Sequence, residues 1–376
     1  MQRRDFLKAG MAGMALTLAE RPSRAQVQPR ADVKGADSKD TETDLDVVVI
    51  GTDGSVLAKA IVDKYLAAHA DVWHYLPNRS QFSRVLEFLD SDPRIKLAKS
   101  TKDILANKAA GKVSMVVGWQ DSFALEEENG NDWRFSRPPQ TKLREYYELG
   151  LRTANLCYQI SNQFGGGMLD PEARLTTQGK YIVGKMQDLG VLVDCCGHTG
   201  EQTNLDVIAM ARRPVAITHG CCKGLNDNPR NSSDRVIEGV ARTGGLMGVA
   251  AVDAFMTWGA KDAPRAETGP FPPRATVSTY VDQFDYLKRL VGIDHIGFGT
   301  DFISDLEPGD PATAFEFPPE MTNKQEPSIQ YVEGFESVSD IGNVRAEMER
   351  RGYTAEEIAK VFGGNWMRVF REAWNS

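Results

Sequence analysis

Short apolar runs alternate with helical patterns along most of this chain, and that alternation restricts it to few folds. The runs are Asp46–Ile50, Asp71–Leu76, Val113–Gly118, Thr153–Cys157, Val191–Cys195, Pro214–His219, Leu246–Ala251 and His295–Gly299. Between them, Val56–Ala68, Ser80–Asp90, Thr141–Leu149, Thr176–Leu189, Glu201–Arg213, Asp234–Thr243 and Val277–Val291 have helical composition and spacing. Strand–helix repeats build parallel sheets with crossover helices. Eight of them predict an α/β fold, a single (β/α)8 TIM-type barrel with C-terminal helices. Asp340–Arg351 is one such helix, and Thr354 to Glu357 spells a capping box that opens the last. An open doubly wound sheet is the competing architecture, but no glycine-rich phosphate loop stands in the context it needs. Trp258–Arg274 and Leu306–Pro327 are rich in Gly, Pro and charge, and read as long loops over the barrel mouth.

The most informative stretch is Val191–Asp234. Two apolar runs, Val191–Val193 and Val215–Ile217, each end in a polar cluster with one histidine, His198 and His219. The helical segment between them makes the two strands parallel neighbours, so both histidines come to one edge of the sheet. Two imidazoles brought together there can bind a divalent metal. Cys195 and Cys196 precede His198, Cys221 and Cys222 follow His219, and Cys157 is the fifth cysteine. An odd count with two vicinal pairs is not a disulfide framework. A bridge between the pairs, a thiolate in a metal shell, and burial as small apolar residues all remain open. Other strand ends reach the same mouth: Gly118 to Ser122 with Gln120, the region of Tyr158, and Gly299-Thr300-Asp301. An aspartate such as Asp301 can ligate a metal, serve as general base, or merely cap a segment. His295 starts the last strand at the far face and reads as structural.

The first ten residues carry Arg3-Arg4, then Phe6, Leu7 and Lys8, and a weakly apolar run spans Ala9–Ala19 before Ser23-Arg24-Ala25. This resembles a twin-arginine export signal over residues 1–25, and implies a periplasmic or otherwise exported protein. The run is too short to span a bilayer. Residues 26–43 are polar and read as a flexible leader to a barrel domain at 44–376. The formal net charge is −8, and removing five basic and two acidic residues with the signal takes it near −11. Without a basic field, nucleic acid is not an expected partner.

The segments Leu149–Arg152, Leu175–Gly179, Leu189–Asp194 with His198, Pro214–His219, Pro229-Arg230-Asn231 with Asp234, Gly292–Phe302 and Gly363–Phe370 together resemble the membrane (renal-type) dipeptidase family, in order, over some two-thirds of the chain. The resemblance implies a metal-dependent barrel of the amidohydrolase type that holds two zinc ions and cleaves dipeptides. It implies that His198 and His219 belong to one zinc site. It implies that Arg230, with Asn231 beside it, holds the substrate carboxylate, and that Asp301 lies at the catalytic centre. Three positions depart from it. The family's first-strand His-x-Asp falls on Gly51 and Asp53, its bridging glutamate on Gln120, and its strand-four histidine on Tyr158. A neutral amide is a poor bridge between cations, whereas a phenol still donates a hydrogen bond to a reacting oxygen. His69-Ala-Asp71 has the family's ligand spelling but sits at the end of a helical pattern, and His74 lies within a strand.

The expectation is therefore a dipeptidase-like metallohydrolase acting on a dipeptide or similar small amide, with a homodimer as the family prior. One zinc ion is expected rather than two, held by His198 and His219 with Gln120 or Asp53. Asp301 is the expected base and Tyr158 the oxyanion donor. Two alternatives stay open: a different amide or lactone substrate, and a barrel that has lost its chemistry and acts as a binding protein.

Overall fold

The computed structural model describes residues 45–374 except 52–56, 77–81, 121, 123–124, 126–138, 258–272 and 304–329. The signal and leader segments, Asp53 and most of both expected mouth loops lie outside the described residues. Nine strands are described: β1 Val49–Ile50, β2 Val72–Tyr75, β3 Ile95–Leu97, β4 Val113–Trp119, β5 Leu151–Asn155, β6 Leu192–Asp194, β7 Ile217–Gly220, β8 Met247–Val249 and β9 Ile296–Phe298. Every strand pairing is parallel. One ladder runs β1-β2-β4-β5-β6 and the other β7-β8-β9. Two seams join them into a curled barrel. At one, Asp194 and Ala216 form a single parallel bridge. At the other, the Thr300 N–H donates to the Gly51 carbonyl at 2.8 Å. Neither seam carries a continuous ladder.

The eight expected strands are the eight of this ring. β3 is additional: it pairs with the first residues of β4, on the side that β5 occupies further along. Its exposed Lys96 stands between buried Ile95 and half-buried Leu97, so it carries no apolar run to betray it. The helix Thr101–Ala109 after it, capped by the Ser100 hydroxyl on the Asp103 N–H, was likewise absent from the sequence reading.

The helices that follow the strands of interest are α5 Thr177–Leu189, α6 Glu201–Met210 and α7 Asp234–Arg242, counted after Lys59–Ala67 (α1), Phe82–Ser91 (α2), Thr101–Ala109 (α3) and Pro139–Leu149 (α4). α5 begins where the Thr176 hydroxyl accepts the Gly179 N–H, and it ends at Gly190 in the left-handed region (φ 87°), which turns the chain into β6. The helices cover the outer faces of the strands, where Trp73, Met115, Val117, Val193, Ile217 and Met247 belong to the larger apolar cluster. The alternate residues Val49, Val72, Val116, Leu192, Ala216 and Leu246 form a second cluster. That split is the period-two alternation of a strand.

The second cluster is completed by Trp366, Met367 and Phe370 from the last helix, Asn365–Ala373, and by Trp374 just past its end. These side chains pack on residues at or near the strand starts and fill that end of the barrel. The Trp366 indole donates to the Phe298 carbonyl at 2.9 Å. Gly363, in the π-helical turn Lys360–Gly364, lies so close to the Val47 carbonyl that no Cβ fits. The glycine is what lets this turn meet the first strand.

Candidate active site

β6 and β7 deliver His198 and His219 to the same place. Their ring centroids are 5.1 Å apart, at an interplanar angle of 56°. Both are buried. Burial holds both imidazoles well below the usual histidine range, and the Arg230 guanidinium adds to the effect. They are therefore neutral and able to lend a lone pair.

A buried carboxylate fixes this pair of strand ends. Asp194 Oδ1 accepts the Cys196 N–H at 3.0 Å and the Thr218 N–H at 2.8 Å. Its Oδ2 accepts the Thr218 hydroxyl at 2.7 Å. With its proton given to Asp194, Thr218 Oγ1 can only accept from His219 Nδ1, 2.8 Å away. His219 thus carries its proton on Nδ1, and Nε2 is a bare lone pair with no partner among the described residues. A metal-ligating histidine usually has its other ring nitrogen held by such a second-shell hydrogen bond, here the Thr218 hydroxyl backed by Asp194. Burial raises the Asp194 pKa, while the Thr218 and Cys196 hydrogen bonds and the Arg230 charge pull it back.

His198 Nδ1 also has no partner. Ligand atoms of Cys196, His198 and His219 all lie within 4.8 Å of one another. Two orphaned imidazole nitrogens beside a sulfur fit a divalent transition metal. All five cysteines are free and buried, so the expected alternative of a bridge between the pairs is not realised. Burial pushes the Cys195, Cys196 and Cys222 thiols well up.

Arg230 is the second component. Its side chain is fully buried, yet Nε, Nη1 and Nη2 have no hydrogen-bond partner among the described residues. The guanidinium lies 5.3 Å from the Phe255 ring centroid. A Cβ at residue 197 would strike the Arg230 carbonyl and Nη1, so glycine is required there for the arginine to sit against the His198 loop. A buried cation with three idle donors is costly unless an anion joins it. Asn231 is buried beside it. Its Nδ2 donates to the Asn226 carbonyl at 2.9 Å and the Phe255 carbonyl at 2.7 Å, leaving only Oδ1 unpartnered. It therefore holds the loop with its N–H groups and has an acceptor to spare.

The remaining expected residues fall as follows. The Tyr158 ring stacks on His198 with centroids 4.1 Å apart and 28° between planes. Asp301 follows β9 with φ 59°, a left-handed conformation that few non-glycine residues adopt and that often marks a site under constraint. Gln120 stands just past β4, half-buried. Gly51 closes on the Phe298 carbonyl so tightly that a Cβ would overlap it, with the Trp366 ring 3.2 Å away. No histidine side chain fits at residue 51 on this backbone. His74 is buried in the barrel interior, its Nε2 2.6 Å from Thr153 Oγ1, and desolvation pulls it down to about 3. His69 is exposed at the end of α1 with φ 53°. His295 Nδ1 donates to the Gly245 carbonyl at 2.6 Å and is structural. Sequence reasoning named no role for Asp194, Thr218, Asn155 or Phe255. Only Asp194 left a trace, as the acidic residue two before Cys196.

Comparison with known proteins gives the same frame. The family model described as membrane dipeptidase (peptidase family M19) matches residues 11–311 and 326–376. The chain is 26% identical over 356 residues to dipeptidase tcpJ of Claviceps purpurea, covering 92% of this chain and 71% of that protein. It is 28% identical over 234 residues to an uncharacterized dipeptidase of Schizosaccharomyces pombe, covering 61% of this chain and 48% of that protein. Among solved structures, an amidohydrolase from Pseudomonas aeruginosa superposes with a TM-score of 0.75 at 23% identity, over 89% of this chain and 99% of that one. A Rhodobacter sphaeroides metallopeptidase bound to a phosphinate mimic of the dipeptide L-Ala-D-Ala superposes at 0.60 with 18% identity, over 92% of each chain. These structures share the barrel fold. With its family model spanning nearly the whole sequence, this chain belongs to the membrane dipeptidase family, peptidase family M19.

Proposed function

We propose that this protein is a metal-dependent hydrolase that cleaves a dipeptide, or a small amide with a free carboxylate. The observation that carries the reading is Arg230: a buried guanidinium whose donors find no partner among the described residues, beside two neutral histidines with orphaned nitrogens. Its planar fork suits bidentate capture of a carboxylate. The relatives named as dipeptidases, and the phosphinate dipeptide mimic in the R. sphaeroides structure, support the substrate class.

His198 and His219 would hold the metal, which we propose to be a single zinc ion. Bound there, it supplies a Lewis acid that polarises the scissile carbonyl and lowers the pKa of water. Arg230 orients the substrate by its carboxylate, and the Asn231 Oδ1 acceptor lies beside it. Asp301 takes the proton of the attacking water and returns it to the leaving amine. Tyr158 donates to the oxygen that gains charge. Phe255 and the buried walls exclude water, which strengthens each of these interactions.

The test is hydrolysis of a dipeptide set by the metal-loaded protein, each dipeptide offered with a free and with an amidated C-terminus. Cleavage of the free acids alone, lost in Arg230→Met, supports the reading. A protein that retains stoichiometric metal yet cleaves neither form sinks it. One observation favours a second reading, a barrel that binds small carboxylates without turnover: residue 51 has no room for the family's first-strand histidine. Tight binding of intact dipeptides without products identifies that case.

We further propose that residues 1–25 export the protein through the twin-arginine route. Replacing Arg3 and Arg4 by lysine should then leave the protein in the cytoplasm on fractionation. Among the described residues no helix is long and apolar enough to cross a membrane. A homodimer is proposed from the family prior alone, and sedimentation velocity tests it.

A further inference from the structure

The family's bridging carboxylate is missing here, because residue 120 is an amide, and Gly51 has no room for the first-strand histidine. Two neutral imidazoles alone would leave a divalent cation uncompensated, close to the buried Arg230 guanidinium. The group that lies with them is Cys196. We propose that Cys196 Sγ is the third protein ligand of this centre, giving a Cys-His-His site in place of the carboxylate-bridged one. The proposal rests on the metallohydrolase reading above.

Three observations carry it beyond proximity. First, the Cys196 backbone is pinned on both sides. Its N–H donates to Asp194 at 3.0 Å and its carbonyl accepts the Asn204 amide at 3.2 Å. The same Asp194 holds Thr218 and, through it, His219. One carboxylate therefore sets the positions of both ligand-bearing strand ends.

Second, Asn155 donates an Nδ2–H to Cys196 Sγ at 3.3 Å. The orientation of this amide is not free. The Leu156 backbone N–H can only donate, and it donates to Asn155 Oδ1 at 2.8 Å. The opposite end must then be the NH2, which also reaches the Cys157 carbonyl at 3.0 Å. Sulfur at Cys196 is thus presented with a donor. That arrangement is how second-shell amides support metal-bound sulfur. Third, His219 Nε2 and His198 Nδ1 are buried and without partners among the described residues.

Cys, His and His with an open fourth position is a donor set that catalytic zinc uses. On binding, the thiol S–H breaks, its electron pair forms the sulfur–metal bond, and the proton leaves to solvent. Thiolate charge replaces that of the absent glutamate.

The experiment is Co(II) substitution of the full mature protein, read by absorption spectroscopy, with X-ray absorption of the zinc form beside it. The expected result is near-stoichiometric Co(II), a near-ultraviolet sulfur-to-cobalt charge-transfer band, and loss of that band in Cys196→Ser while Cys195→Ser and Cys221→Ser keep it. If Cys196→Ser does not fold by circular dichroism, the wild-type zinc form decides alone: one sulfur scatterer at about 2.3 Å is expected. Stoichiometric metal with no sulfur in its shell overturns the Cys196 assignment and leaves the metallohydrolase reading standing. Failure to bind Co(II) or zinc overturns both.

Discussion

Arg230→Met is the substitution whose outcome is least intuitive. It removes a buried residue at the centre of the site, and the structure says that the ligand-free protein becomes more stable. Wild-type Arg230 buries three donor groups without partners. Each such group costs about 1–3 kcal/mol. Against this, the substitution loses the cation–π contact with Phe255, worth about 0.5–2 kcal/mol. It also removes the positive charge that steadies Asp194. Methionine matches the stem of arginine and packs adaptably against Phe255. Three such groups less that contact come to about 1–8 kcal/mol, and the lost support of Asp194 brings the gain down to about 1–4 kcal/mol, the range seen when buried ionic groups give way to well-packed apolar ones. Urea unfolding of the metal-free proteins, followed by far-ultraviolet circular dichroism, measures it. Adding a carboxylate ligand reverses the order. At a hundredfold excess over Kd it stabilises the wild type by about 2.7 kcal/mol and leaves the variant unmoved. If Arg230→Met destabilises the ligand-free protein by more than about 1 kcal/mol, the guanidinium has a partner in the folded state and the anion-site argument fails.

Other expected outcomes test separate parts of the site. Thr218→Val cuts the link from Asp194 to His219, and metal affinity measured against a competing chelator should fall about 10–100-fold. Gly51→Ala places a methyl group against the Phe298 carbonyl, and thermal unfolding should show a loss of about 1–3 kcal/mol; an unchanged stability would mean that β1 and β9 can part at this seam. The pH dependence has a definite sign. His74, His198 and His219 have folded pKa values below the usual 6.5, so only the unfolded chain takes up protons as pH falls below that value. Their contribution is present above pH 6.5 and is lost progressively below it. For His74, titrating at about 3 when folded, the loss at pH 4.5 is about 3 kcal/mol. Metal-free unfolding free energies at pH 7 and pH 4.5 should differ at least by that amount, and a flat profile would refute the buried neutral assignment.

Much of the fold was legible because period and length carry it. The eight ring strands are short apolar runs separated by helical patterns, and neither depends on distant parts of the chain. β3 escaped because its pairing with the start of β4 is satisfied by backbone hydrogen bonds, with only Ile95 fully buried. Its exposed Lys96 breaks the apolar signal. The histidine pair was legible through connectivity: a strand, a helix and a strand must bring two C-terminal ends together. Gln120 and Asp301 were reached in the same way, as residues that follow strands, which places them at the mouth without aiming their side chains.

What lay beyond the sequence is the matching of groups across strands. Nothing in the spelling of residues 194 to 219 says that one carboxylate accepts from both Cys196 and Thr218, or that this leaves His219 Nε2 bare. Nothing local singles out Cys196 from four other cysteines, or turns the Asn155 amide toward its sulfur from 41 residues away. The sequence by itself determined an α/β barrel of this family, the neighbourhood of His198 and His219, and the replacement of the usual first-strand histidine and strand-three glutamate. Periodicity and chain connectivity act along the chain, so they can be read from it. Tertiary structure alone decided that Gly51 has no room for a side chain, that Arg230 is buried with idle donors, and that a cysteine stands where a third ligand is needed. Burial and hydrogen-bond partnership depend on atoms brought together from separate strands, and exist only once the barrel has closed around them.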